Sequence, residues 1–339
     1  MRFLFLVLTL ITAVQPFPAW AAEQNGQEID SQTVLALKTL QRLDQRLHAA
    51  GYKLVSANAE FCERTVPNLG FLLHDLNQYG DTATARFAHD FSSAIAVNAV
   101  APDSPAAGLE VGDSLIAING LLVEGIAIDE EKLAEEQAEY RRIAAINVML
   151  RKAAAKGSIQ LSILRGGLHQ DIEMTAAQTC PSQFQIRVSE DRDASADGKM
   201  VSISSTLAEY VLSDDELAAI AAHELAHNLL RHRDRLNAQD VNRGFFGQFG
   251  KSANRIKATE IEADRLSVWL MANAGYDPQA AIRFWTRYGK EHGKGIFSAS
   301  THYRWKKRVK LFEEEIAVMA KLPKIGGKYA PPLLAQTRP

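Results

Sequence analysis

His223-Glu224-Leu225-Ala226-His227 sets two imidazoles four residues apart with a carboxylate beside the first. On an α-helix, positions i and i+4 share a face, so both rings can converge on one metal ion. Glu224 sits one position round from His223, where it can reach a water beside the metal without being a ligand. Catalytic zinc usually takes three protein ligands and leaves one position for water, so a third ligand is required. Residues 259–265, TEIEADR, offer one. Glu260 and Asp264 are again four apart: Glu260 can reach the metal while Asp264 holds a ligand histidine by its second ring nitrogen. Glu262 points half a turn away, toward solvent or a surface ion pair. The plainer alternatives are a histidine pair satisfied inside a core and an ordinary acidic helix start.

The elements around these residues are readable. Residues 213–232 contain no Gly or Pro, and Ser213 and Glu216 have capping-box spacing. Asp214 and Asp215 complement the dipole at the helix start, and Arg231 and His232 complement it at the end. Leu217, Ile220, Ala221, Leu225 and Leu229 recur at helical spacing, which predicts a deeply packed helix. Two His and a Glu on such a helix need a partner, because buried polar groups without one are costly. His232, five residues past His227, falls on another face and reads as a dipole partner.

HELAH followed by Glu260-Ile261-Glu262-Ala263-Asp264 resembles the M48 family of zinc metallopeptidases. So do Asp193-Ala194-Ser195-Ala196-Asp197-Gly198, the strand Met200–Ser204, Ala274-Gly275-Tyr276-Asp277-Pro278, and Ser300-Thr301-His302 with Arg308 six residues on. Tyr303 stands where the family has Pro. The resemblance covers about residues 180–320. It implies an α+β fold: a mostly helical zincin-type domain with a small edge-exposed sheet. It also implies one Zn2+ per chain on His223, His227 and Glu260, Glu224 as the proton-transferring catalytic residue, and Asp264 behind a ligand. Strand Met200–Ser204 would be the edge that an extended substrate joins. His302 would stabilise the oxyanion or block the zinc in a resting state.

Residues 1–21 carry Arg2, an apolar run from Phe3 to Val14 and Ala19-Trp20-Ala21, which reads as a cleavable signal peptide. The peptide by itself implies only export; the family resemblance makes the expected location periplasmic, without a transmembrane anchor. Cys62 and Cys180 are the two cysteines of the chain; after export a disulfide between them is the simplest reading, and two separate buried thiols the other. They bracket a segment resembling a β-rich PDZ domain. Its marks are alternating Ile95, Val97 and Ala99, then Ser104-Pro105-Ala106-Ala107-Gly108-Leu109, Gly112-Asp113, strand Ser114–Ile118 and the Asn119-Gly120 turn. A helix from Leu133 to Lys156 and a hairpin around Gly166-Gly167 follow. Leu69-Gly70-Phe71-Leu72 reads either as a carboxylate-binding loop or as plain strand. The expected organisation is a signal peptide (1–21), a helical segment packing on the peptidase domain (22–65), the inserted PDZ-like domain (66–178), the metallopeptidase domain (179–322) and an extended or disordered tail (323–339).

Lys and Arg number 38 against 40 Asp and Glu, so nucleic acid is not an expected partner. Gly244-Phe245-Phe246-Gly247-Gln248-Phe249-Gly250 could reach unfolded substrate or give a peripheral membrane contact, or pack in a core. Two function classes follow. One is an exported zinc endopeptidase acting on protein or peptide substrates of the envelope, in quality control. The other is a peptide-binding chaperone or adaptor with structural zinc.

Overall fold

The computed structural model describes residues 29–129, 131, 138–239, 250–292 and 305–336. Residues 1–21, the run Gly244–Phe249 and His302 with its neighbours lie outside them. The chain opens with α1 (Ser31–Ala57), started by Asp30, whose carboxylate accepts from the Gln32 and Thr33 amides. Then come β1 (Val66–Asn68), β2 (Phe71–Asp75), α2 (Thr82–His89), β3 (Ile95–Val100), β4 (Ser114–Ile118) and β5 (Leu121–Leu122). Next are α3 (Arg141–Ala154), β6 (Ile159–Arg165), β7 (Leu168–Met174), β8 (Ala177–Thr179), β9 (Gln183–Arg187), β10 (Ala194–Ala196) and β11 (Met200–Ser204). Helices complete it: α4 (Ser205–Tyr210), α5 (Asp214–Leu229), α6 (His232–Asn237), α7 (Gly250–Asn273), α8 (Gln279–His292), α9 (Trp305–Met319) and α10 (Pro332–Gln336). The fold is thus a mixture of helix and sheet, and no helix among the described residues is long and apolar enough to cross a membrane.

Two large apolar cores form. One lies between β2, β3, β4, β6, β7 and α3, and contains Val97, Leu115, Ile118, Ile146, Leu161 and Ile163. Its sheet runs β2-β3-β4-β6-β7 with β5 paired to β4. Asn119 and Gly120 both have positive φ, as do Gly166 and Gly167, which is the backbone a two-residue hairpin turn needs. Of the expected helix from Leu133, residues 133–137 lie outside the described residues, and Arg141–Ala154 is helical. The second core joins α1 to α5, α7, α8 and α9 through Leu47, Leu54, Leu217, Leu225, Trp269, Phe284 and Phe312. Leu35 in the first turns of α1 is exposed, because only the later turns of that helix pack on this core.

Between the cores, β1 and β8 pair antiparallel, Val66 against Thr179. Cys62 and Cys180 are disulfide-bonded beside them, with Cα atoms 5.6 Å apart. The segment holding the first core therefore leaves and re-enters the second at one clasp.

Two expectations need correction. Met200–Ser204 is not an edge: β11 is central in the order β10-β11-β9, parallel to β9 and antiparallel to β10. The outer strands of that sheet among the described residues are β10 and β9. The reason is that Asp193–Ala196 folds back through Gly198, at φ 99°, and covers one side of β11. Nor is the described tail free. Tyr329 exchanges hydrogen bonds with Asn273 of α7, accepting at 2.9 Å and donating at 2.8 Å, and Leu334 is buried. Aromatic packing of Tyr329 on Trp269 outweighs the Gly and Pro content that suggests an extended tail.

Candidate metal centre

Helix α5 begins at Ser213, whose hydroxyl accepts from the Glu216 amide. Glu216 reaches back to the Leu212 amide rather than to Ser213, and Arg287 holds its carboxylate, so the capping is reciprocal in kind but shifted by one residue. Residues Leu217 to Ala222 are all buried, which fixes the rotation of the helix. That rotation turns His223 and His227 toward α7, the helix packed along α5. Glu260 rises from α7 to meet them.

His223, His227 and Glu260 each offer one ligand atom within a 4.8 Å cluster. The two Nε2 atoms are 3.2 Å apart, and Glu260 oxygens lie 3.5 Å from each of them. Two ligands about 2.0–2.1 Å from one zinc at a tetrahedral angle stand about 3.3 Å apart, so the donor set fits zinc. The electrostatics agree. Burial, then the His223 ring, pushes His227 down to about 3, which leaves a lone pair on it. At His223 burial and Arg308 oppose the charged ring, yet hydrogen bonds to Asp264 and Glu260 prevail and raise it to about 9. The pocket is therefore organised to hold positive charge between two rings and a carboxylate, and a dication satisfies all three at once.

Asp264, one turn after Glu260, is fully buried and stands 2.9 Å from His223 Nδ1. Behind it lies Arg308 of α9, 5% exposed, with Nε 2.9 Å from one carboxylate oxygen and its guanidinium 3.5 Å over the Trp285 ring. Burial alone would raise the Asp264 carboxyl, and Arg308 and His223 together more than reverse that. Sequence spacing offered no signal for the Trp285 contact, which joins α8 to α9.

Glu224 is partly exposed on α5, next to His223. Asn228, the residue after His227, was not singled out from the sequence. Its Oδ1 accepts from the Gly198 amide at 2.7 Å and its Nδ2 donates to Ser182 at 2.9 Å. It thereby ties the β10–β11 turn, and with it the β10 edge, to the histidine helix. Glu262 is ion-paired with Arg235 as expected of it, but it also holds His232, whose ring lies against His227 rather than on another face.

The profile of Peptidase family M48 matches residues 166–250, a stretch that holds both histidines and Glu224 and stops short of Glu260. The chain is 32% identical over 122 aligned positions to a mitochondrial metalloendopeptidase OMA1 of Schizosaccharomyces pombe, covering 30% of this chain and 36% of that one. It is 27% identical over 123 positions to a putative beta-barrel assembly-enhancing protease of Vibrio cholerae, covering 28% and 25%. A mitochondrial metalloendopeptidase OMA1 of Arabidopsis thaliana is 30% identical over 138 positions, covering 34% and 27%. The chain thus spans about a quarter to a third of the length of these curated relatives. The profile match and the three relatives support a metallopeptidase of the M48 type.

Proposed function

We propose that this protein is an exported zinc-dependent endopeptidase that cleaves polypeptide segments of envelope proteins. The observation that carries the reading is the convergence of His223, His227 and Glu260 on one point beside Glu224. Three protein ligands leave a coordination position for water, the pattern of a catalytic rather than a structural zinc site. That argues against the reading as an adaptor with structural zinc.

His223, His227 and Glu260 would hold the ion, and Asp264 and Arg308 would fix the His223 ring. Zinc, when bound, supplies Lewis acidity and an acidified water. Glu224 takes the proton of the attacking water on its carboxylate and delivers it to the leaving amine nitrogen. An extended substrate can add its backbone to the open edge of β10, which Asn228 holds beside α5. The disulfide-clasped insert, residues 66–178, would bind a further stretch of chain. Its Gly70 amide already donates to Asn68 Oδ1 at 2.9 Å. What it offers a peptide is therefore the side of β2 that carries no strand among the described residues. The test is zinc dependence: cleavage of an unfolded protein should stop on chelation and return with zinc in the wild type, and never return in His227→Ala. Cleavage that survives chelation would overturn the proposal.

A further inference from the structure

We propose that His232, Glu262 and Arg235 are positioning residues that fix His227 in the tautomer a metal ion requires. The inference rests on the reading of His223, His227 and Glu260 as a metal site and explains how one of those ligands is prepared.

On an uninterrupted helix a residue five positions on lies about 140° round the axis, well away from its predecessor. Helix α5 does not continue as far as His232. It ends at Leu229, and Arg231 takes the left-handed conformation, φ 53° and ψ 40°, an uncommon one for a residue with a side chain. Helix α6 then starts at His232 and turns that ring back on His227. The ring centroids are 4.8 Å apart, with the planes 79° from parallel, and the two Nδ1 atoms are 2.9 Å apart. His232 is 1% exposed. Its Nε2 is 3.0 Å from Glu262 Oε2, and Arg235 grips the same carboxylate at 2.6 and 3.3 Å.

With both rings neutral, the donors and acceptors in this row allow one assignment. Glu262, paired with Arg235, is a carboxylate and only accepts. His232 Nε2 therefore carries the hydrogen and donates to it. In a neutral imidazole the other nitrogen is then an acceptor, so His232 Nδ1 must receive. His227 Nδ1 is the donor that meets it. This leaves the lone pair of His227 on Nε2, the atom that faces His223 Nε2 at 3.2 Å and Glu260 at 3.5 Å. Outer partners of this kind set ring tautomer and orientation and make the ligand nitrogen more basic. Helix α7 supplies both ends of the device: Glu260 faces the ligand cluster and Glu262, two residues on, anchors the row behind it. Shape alone would not require both nitrogens of a buried ring to be engaged.

The experiment compares zinc affinity, by competition with a chelating dye, in wild type, His232→Phe, His232→Asn and Glu262→Ala. Helicity and thermal midpoint of the zinc-free proteins are recorded alongside. Phe fills the space without an acceptor, and Asn keeps an acceptor where Nδ1 stood. The expected result is zinc binding weakened about 10–100-fold by Phe, with Asn binding at least about threefold tighter than Phe. Co2+-loaded His232→Phe should also show visible bands displaced from wild type. Should His232→Phe not fold, Glu262→Ala serves at a partly exposed position and should weaken zinc binding several-fold. Wild-type affinity in a folded Phe or Ala variant, or equal loss in Phe and Asn, would overturn the inference. Failure of the underlying site reading looks different: His223→Ala or Glu260→Gln would then hold zinc as tightly as wild type.

Discussion

Replacing Arg308 by Met should cost this protein about 3–5 kcal/mol, and the loss should depend on a second residue. Met keeps the apolar stem under Trp285 and deletes the guanidinium. What remains is Asp264, fully buried, with the His223 ring as its partner. Breaking a buried pair by removing one member typically costs about 3–5 kcal/mol, a large share of the about 5–15 kcal/mol that holds a domain together. Removing both members should cost far less than two single losses, since no charge is left stranded. Urea unfolding of Arg308→Met, Asp264→Leu and the double variant, followed by far-ultraviolet circular dichroism, measures this. An interaction energy of at least about 2 kcal/mol is expected. The pH dependence has a definite sign. With Arg308 present the folded Asp264 carboxyl lies below its unfolded value. Its contribution is then complete above about pH 4 and lost as pH falls through the folded value. The deficit of Arg308→Met should therefore be largest at neutral pH and shrink toward pH 4, where a proton replaces the guanidinium. Single losses below about 1 kcal/mol, or additivity within about 0.5 kcal/mol, would refute the reasoning.

Asp44 of α1, bonded to Asn98 of β3, is pushed up to about 6 by burial. A raised carboxyl binds its proton more tightly when folded, so stability should fall as pH rises from 4 to 6. Asp44→Asn should then be more stable than wild type at pH 8 by up to about 2–3 kcal/mol and equal to it below pH 4; equal stability throughout would contradict this. The Cys62–Cys180 bridge spans 118 residues of sequence, and the chain-entropy relation gives about 5 kcal/mol as the upper loss on reduction. Two thiols should become alkylatable only after reductant, with a matching fall in urea midpoint. A Cβ on Gly51 would lie 2.3 Å from Phe184, so Gly51→Ala should cost about 1–3 kcal/mol. Phe184→Leu in the same chain should recover part of it; no recovery would point to another cause.

Much of the site is readable from sequence because its signals are local and periodic. HELAH sits on an uninterrupted apolar helix, and Glu260 and Asp264 share a face by spacing alone. The structure sets both against His223. The Asn119-Gly120 and Gly166-Gly167 turns were readable for a similar reason, since both demand positive φ. What stayed hidden depends on contacts far apart in sequence or on one backbone exception. Arg231 has a side chain and carries no mark of the left-handed turn that swings His232 onto His227. The placing of β11 between β9 and β10 follows from a parallel pairing that no alternation pattern encodes. Tyr329 docks because α7 presents Asn273 and Trp269 to it, 56 and 60 residues earlier in the chain.

The most direct test of the account is the rate at which purified Glu224→Gln cleaves an unfolded protein, measured at the same zinc occupancy as wild type. Removing the proton-transferring carboxylate while leaving His223, His227 and Glu260 in place should preserve metal binding. It should lower the rate by at least about 10²–10⁴-fold, the usual contribution of a general base. Equal cleavage by the variant and the wild type would contradict it.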